Sequence, residues 1–492
     1  MTMRLLCVST SKNTDAILEK LIDLAKGSIE LALHIGDIQS DIKASSMTRM
    51  NTRKVRGVHL MNGQQYSAAS LALIQQPEFF RNLTEFIDHL YRRDGYYSYK
   101  SHNLRTIHDY IDYYHILFDV IAQKIEQHDI SHMLFFNVPH LTYDTIIYHV
   151  GQAMGIPSVI VSQAPAIFPN KFFSMVSPDH YGSIRLGSVR APMPLAIDPA
   201  KPQELFYMKN IKQGESTKGC LTWMGIVHIL TYIFLKRPWS LFNPLFLWAT
   251  FRRAARIYRG MPDWRDPFAR FFHENELAYF EHLIQYEQES VDYTRRYVYF
   301  PLHLQPEMTT SALGGIYRDQ AYAIEVLAGL LPEDILIYVK ENPKQGAYMR
   351  GPLFFHRLKR IPSVRILPSH ASTYDLLKNC EFVATITGTV GWEAIRSGKR
   401  VLAFGNGWYK CFPGVVNYRE GLTLDQIMSA PLDHDRLQQA AGELVSRCHD
   451  GIIDRHYSEI VPNFDREEND RQVASTLFSL LCGKVAPVFH NT

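Results

Sequence analysis

The sequence predicts an α/β protein of two doubly wound, Rossmann-like domains with a central cleft and a helical aromatic and basic insertion between them. Three observations lead there. Short apolar, β-branched runs alternate with amphipathic stretches over the first 165 or so residues; the alternation returns more regularly over 297–404; and the stretch between them has a different, aromatic and basic character. Alternating strands and helices imply parallel sheets joined by right-handed crossovers. The 492 residues leave room for about three units of roughly 150 residues, or for two with insertions.

The first strand is Arg4–Ser9, closed by a polar turn, Ser9–Thr14. Ile17, Leu18, Leu21, Ile22 and Leu24 then recur at helical spacing, and Glu30–His34 reads as a second strand. Residues 70–127 read as helical, with Phe79, Phe80, Leu83, Phe86, Ile87 and Leu90 in register. A β-α-β unit follows: strand His132–Asn137, amphipathic helix Asp144–Met154 stopped by Gly155, and buried strand Ile156–Ser162. The proline-bearing stretch Ala191–Pro202 puts the end of the first domain, 1–195, near residue 195.

The insertion, 196–290, carries two aromatic apolar bursts, Trp223–Leu235 and Trp239–Phe251. Lys236, Arg237 and Pro238 divide them, and Arg252, Arg253, Arg256 and Arg259 follow. Neither burst is long enough to span a bilayer. Two readings stand: an interfacial hairpin whose Trp223, Phe234, Trp239, Phe242, Phe246, Leu247 and Trp248 enter the headgroup region of the inner membrane face, or a helical insertion packed on the body of the protein.

The second domain, 291–465, begins after a hinge near 290–296. Its strands are Tyr297–Pro301, Ile335–Val339, Val364–Leu367, Phe382–Thr387 and Arg400–Phe404. Its helices are Asp319–Leu331, Ser372–Asn379 and Val390–Ser397, with further helices at 434–447 and 468–482. The last, within a segment 466–492, is expected to pack back on the first domain. Two such sheets face a cleft with the carboxyl ends of their strands, where open α/β folds bind ligands.

Composition narrows the function. Lys and Arg total 52 against 49 Asp and Glu, a net +3 that gives no reason to expect a nucleic-acid binder. Cys7, Cys220, Cys380, Cys411, Cys448 and Cys482 form no CxxC and no zinc-spaced cluster, which favours a reducing cytoplasm over a disulfide scaffold. Leu5–Val8 is too short for the apolar region of a signal peptide. Walker A, GxGxxG, GxSxG, HExxH and DxD motifs are all missing.

The most informative segment runs from Thr385 to Gly405. A strand ends at Thr387, Gly388 and Thr389 make the turn, and a helix starts near Val390. The free N–H groups of such a helix attract a phosphate, Thr387 and Thr389 add hydroxyls, and Glu393 lies one turn in, able to accept from ribose hydroxyls. The plainer reading makes Thr389 an N-cap and Glu393 part of a capping box. Thr387, Thr389, Gly391, Trp392, Glu393, Ala394, Gly398, Lys399, Val401, Gly405, Trp408 and Tyr409 match a pattern of the capsule-polysaccharide biosynthesis family. The segment resembles the nucleotide-sugar half of that family, which includes bacterial β-Kdo transferases of GT-B fold; the likeness covers about 297–425.

The resemblance implies a GT-B-like glycosyltransferase with the donor in the second domain and the acceptor in the first. It implies a CMP-linked acidic sugar such as Kdo as donor, UDP-hexoses remaining open, and a growing surface glycan or lipid-linked glycan as acceptor. It implies no cofactor and no metal at the donor site. Where the family carries Lys-x-His-Pro facing the donor phosphate, this chain has Lys340, Asn342 and Pro343; the departure from histidine leaves hydrogen bonding but not proton transfer at Asn342. His303, Gln305 and Glu307 follow the domain's first strand and supply candidates for the base or nucleophile of glycosyl transfer, against the alternative of ordinary loop polarity. Ser162 and Gln163, after a first-domain strand, are expected on the acceptor side; Asn137, His140 and His370 are weaker strand-end candidates. Two other functions fit the pattern: a UDP-sugar 2-epimerase-like enzyme of the same fold, and a non-catalytic polysaccharide assembly or export partner at the membrane.

Overall fold

In a computed structural model, which describes residues 2–9, 13–36, 42, 75, 82–85, 87, 106–189, 192–199, 238–260, 276–305, 307–342, 345 and 350–491, the strands form two six-stranded sheets. In chain order the strands are β1 (Met3–Val8), β2 (Ile29–Ile35), β3 (His132–Phe135), β4 (Ser158–Gln163), β5 (Lys171–Met175), β6 (Tyr297–Pro301), β7 (Leu336–Lys340), β8 (Val364–Leu367), β9 (Val383–Thr385), β10 (Val401–Ala403), β11 (Val415–Asn417) and β12 (His449–Asp450).

The second sheet runs β11-β10-β9-β6-β7-β8, and every pair in it is parallel. β6, β9 and β10 are buried along their whole length, as strands covered by helices on both faces must be. The order is that of a doubly wound fold whose topological switch lies between the first and fourth strands, here β6 and β9. The first sheet runs β12-β5-β4-β3-β1-β2, parallel from β2 to β4 and antiparallel at β5 and β12. The expected α/β class of two Rossmann-like domains is thus borne out in both sheets.

The chain returns to the first sheet at His449, ahead of the boundary expected at 465. Helix Arg466–Leu481 then packs on helix Thr14–Ala25, placing Val473, Ala474 and Leu477 in one core with Ile17, Leu18 and Leu21. Farther on, Phe489 N donates to Ser174 O at 2.9 Å. Between the two sheets, Phe168 meets Trp408 edge to face at 5.8 Å, and the backbone N–H groups of Gly187, Ser188 and Val189 converge on Glu443.

Of the helical stretch expected over 70–127, helix Ile107–Gln127 is described, with Thr106 and Asp109 forming its capping box. Phe79, Phe80, Phe86 and Leu90 lie outside the described residues. So do the burst Trp223–Leu235, Lys236, Arg237 and Cys220. The second burst forms a short 3-10 turn, Pro238–Phe242, and helix Pro244–Gly260. A two-pronged pair between Arg253 and Glu281, at 2.7 and 2.6 Å, ties that helix to helix Glu276–Glu287. Among the described residues no helix is long and apolar enough to cross a membrane.

Candidate functional site

The loops that leave β6 and β9 flank the switch point, where consecutive crossovers diverge and open a crevice. Their side chains meet there. His303 Nε2 lies 2.8 Å from Thr385 Oγ1. The backbone of His303 is gripped on both sides: its N–H donates to Gln320 Oε1 at 2.7 Å, and its carbonyl accepts from Gln320 Nε2 at 3.1 Å and Arg350 Nη2 at 2.5 Å. Burial, reinforced by the Arg350 charge, pushes the imidazole down to about 3. At neutral pH it is therefore an uncharged hydrogen-bonding group and a weak base.

Directly above this ring sits Gly388. A Cβ there would lie 2.8 Å from His303 Nε2 and 2.9 Å from Cε1, so the turn approaches the histidine only because the residue is glycine. Gly388 is the N-cap of helix Thr389–Arg396, and no side chain caps that helix. Gly388, Thr389 and Val390 are half-buried, so the helix N-terminus faces the crevice edge. The turn is braced from behind. Tyr409 OH donates to Gly388 O at 2.5 Å, and Trp408 packs on Trp392 with centroids 5.0 Å apart. The aromatic pair of the 405–409 loop thus fixes the glycine-bearing turn.

The other expected donor residues divide between edge and interior. Thr387 spends its hydroxyl proton on Thr309 O at 2.5 Å. Thr389 opens the helix rather than capping it. Glu393 is buried beneath the helix, beside Tyr299 and Tyr409; burial first, then its charge, raises both phenols. Lys340 Nζ donates to Thr373 Oγ1 at 2.7 Å and Ala371 O at 3.0 Å, across to the loop after β8. Asn342 N donates to Glu341 Oε1 at 2.7 Å. Pro343 lies outside the described residues.

The three residues expected to do chemistry separate clearly. His303 and Gln305 are buried. Gln305 is consumed by structure: its N–H donates to Gln345 Oε1 at 2.8 Å, its Nε2 to Arg318 O at 2.8 Å, and its Oε1 accepts from Gln320 Nε2 at 3.0 Å. Glu307 is exposed and accepts from Thr309 Oγ1 at 3.0 Å. Because Thr309 O holds Thr387, that carboxylate belongs to the same neighbourhood as the helix N-terminus.

On the first-domain side, Ser162 is buried. Gln163 Nε2 donates to Lys171 O at 2.8 Å, and its Oε1 accepts from Ile453 N at 2.9 Å and Asp454 N at 3.2 Å. The Oε1 of this amide holds the returning chain against β4, while its Nε2 ties β4 to the start of β5. Asn137 Oδ1 accepts from Val138 N, His140 Nδ1 lies 2.6 Å from Val138 O, and His370 is exposed. A cavity of about 410 Å³ opens between the domains, with Tyr148, His149 and Asp179 on one wall and Ala312, Gly315 and Arg318 on the other.

Sequence reasoning missed the support beneath the site. Arg350 is fully buried and pairs with the equally buried Glu341 at 2.5 Å. Gln320 and Gln345 clamp the loop after β6 from beneath. The one signal was Glu341, an acid standing between the two residues of the Lys340–Asn342 match. Among the described residues no group of three or more His, Cys, Asp or Glu is placed to hold a metal ion.

Residues 279–443 match the family model described as capsule polysaccharide biosynthesis protein, which bears out the resemblance over the domain that carries this crevice. No curated protein matches the chain. Among solved structures, the beta Kdo 2,7 transferase KpsC of Thermosulfurimonas dismutans is similar at 10% identity, covering 73% of this chain and 89% of its own, with a TM-score of 0.31. The beta Kdo 2,4 transferase of the same organism gives 14%, 63%, 79% and 0.27 for the same measures. UDP-GlcNAc 2-epimerase from Methanocaldococcus jannaschii gives 11%, 90%, 99% and 0.25.

Proposed function

We propose that the protein is a glycosyltransferase of capsule or other surface polysaccharide synthesis. The observation that carries this reading is the uncapped helix N-terminus at the β6/β9 switch point, within the segment that matches the capsule polysaccharide biosynthesis model. The backbone N–H groups of Thr389 and Val390 receive the phosphate of a nucleotide-activated sugar, since a helix N-terminus supplies both donors and partial positive charge; the Gly388 N–H is held by Thr385 Oγ1 at 3.3 Å. Thr389 adds a hydroxyl. His303 is a positioning residue that sets the height of the Gly388 turn. Lys340, Asn342, Thr387 and Glu393 shape the donor pocket from its sides and floor.

In the transfer step an acceptor hydroxyl oxygen bonds to the anomeric carbon as the bond to the nucleotide phosphate breaks. The hydroxyl proton goes to a carboxylate, and exposed Glu307 takes that role in this reading. The acceptor glycan enters through the cavity between the domains, past Tyr148, His149 and Asp179 on its first-domain wall; Ser162 and Gln163 do not line it. The family resemblance makes CMP-Kdo, or another CMP-linked acidic sugar, the leading donor.

Isothermal titration of the full chain with CMP and with UDP tests the reading. Binding of one nucleotide, with CMP preferred, is the expected result. Binding of neither overturns it. Incubation with free UDP-N-acetylhexosamine and no acceptor separates the epimerase alternative, which requires interconversion of that sugar.

A further inference from the structure

We propose that helix Pro244–Gly260, with the turn Pro238–Phe242 before it, is a docking element for an anionic phospholipid surface. The outer face of this element is apolar at its start and basic at its end. Trp239, Phe242 and Leu245 are 82%, 81% and 79% exposed, and Trp248 and Phe251 are 64% and 66% exposed. Large apolar side chains left this open, in one contiguous run, mark an interaction surface rather than ordinary surface scatter. Leu245, Trp248, Arg252, Arg256 and Arg259 follow one another at spacings of three and four, so they share one face of the helix.

The same residues say what covers that face. Arg252, Arg256 and Arg259 are exposed and carry no ion pair among the described residues. No Asp or Glu occurs between Pro238 and Gly260. Three unpaired cations in line with an aromatic cluster select a partner that is negatively charged and able to admit rings beside its charges. A membrane interface does both: aromatic side chains lodge at headgroup depth while arginines reach lipid phosphates. The apolar part occupies only the first half of the stripe, which suits shallow insertion of one end and not a helix laid along an apolar protein groove.

Arg253, although part of the basic run, belongs to the other side. Its two bonds to Glu281 fasten the element to helix Glu276–Glu287, so the exposed face is presented from a fixed base. The expected basic cluster therefore splits into one structural arginine and three for the membrane. The inference stands apart from the sugar-transfer reading, because vesicle binding and nucleotide binding are measured separately.

The test uses the full chain in co-sedimentation with vesicles of phosphatidylcholine alone and of phosphatidylcholine with phosphatidylglycerol in equal parts. Wild type is expected to partition onto the anionic vesicles, less so at high salt, and not onto the neutral ones. Combined Arg252→Glu, Arg256→Glu and Arg259→Glu is expected to lower that partition about tenfold or more. Trp239→Ser with Trp248→Ser is expected to lower it as well, with unchanged thermal melting in both variants. Absence of vesicle binding in wild type overturns the proposal, as does binding that survives the charge reversal. Concentration-dependent dimers in light scattering that the double tryptophan variant dissolves would also overturn it, by assigning the face to a second copy of the chain.

Discussion

His303 and Thr385 stand 82 positions apart in the chain, yet their side chains meet at 2.8 Å across the gap between β6 and β9. This bridge closes the floor of the crevice, and Gly388 rests on it. The height of the turn, and with it the direction of the helix N-terminus, is set by the absence of a side chain at one residue.

Gly388→Ala therefore drives a methyl group into the imidazole. Overpacking of this kind costs about 1–3 kcal/mol. Either the ring moves or the turn lifts, and both displace the N–H groups proposed for phosphate. Nucleotide affinity should drop at least tenfold by calorimetry, with only a small fall in melting temperature.

Glu307→Gln and His303→Gln should separate chemistry from positioning. Loss of the exposed carboxylate is expected to lower kcat by about two orders of magnitude or more while leaving donor affinity within a factor of two or three, as removal of a general base does. His303→Gln keeps a hydrogen-bonding side chain and is expected to alter binding and turnover together. Equal, modest losses in both variants would remove Glu307 from the reaction.

Arg350→Met should be the most damaging of these substitutions for stability. It leaves Glu341, 1% exposed, without its 2.5 Å partner, and breaking a buried pair from one side costs about 3–5 kcal/mol. The double change Glu341→Gln with Arg350→Met should recover part of that loss. Urea unfolding of the three proteins gives the comparison.

Stability should fall as the pH drops below about 6.5. The unfolded chain binds a proton at each histidine near that value, whereas burial pushes His303 down to about 3 and His449 down to about 4 in the folded protein. Through the window between those values and 6.5 the unfolded state holds more protons, so stability rises with pH, at up to about 1.4 kcal/mol per pH unit for each group. His303→Gln should flatten the slope of the urea midpoint between pH 6.5 and 4.5. A slope unchanged by the substitution would contradict the assignment.

Glu443→Gln should loosen the seam between the domains. The carboxylate accepts from Gly187 N at 2.6 Å, Ser188 N at 3.2 Å and Val189 N at 3.3 Å, and pairs with Arg447 at 2.6 Å. Burial pushes the acid up, but these donors together hold it below its ordinary range. Loss of the charge should cost about 1.5–3 kcal/mol and increase hydrogen exchange at Gly187 to Val189.

The strand-turn-helix of 383–396 was legible because each part carries a local signal: a buried β-branched run, a glycine at the turn, and a helical apolar face. The alternation over 297–404 likewise gave the second sheet. What the sequence did not reveal depends on long-range partners. Gln163 was expected on the acceptor side, but the backbone N–H groups its Oε1 accepts from lie 290 and 291 positions away, at Ile453 and Asp454. Arg350 sits in a stretch without periodicity, so nothing local marked it as buried. β12 is two residues long and has no pattern of its own; only its pairing with β5 makes it a strand.

The return of the chain to the first sheet also dictates an order of events during synthesis. The ribosome releases the early strands, β1 to β5, long before His449. Until then β5 lacks its edge partner, and Ile17, Leu18 and Leu21 lack the cover that Val473, Ala474 and Leu477 later provide. The first domain to emerge is thus the last to be completed. Between release of its strands and arrival of the 466–481 helix, it presents an apolar face and an open strand edge of the kind that chaperones bind.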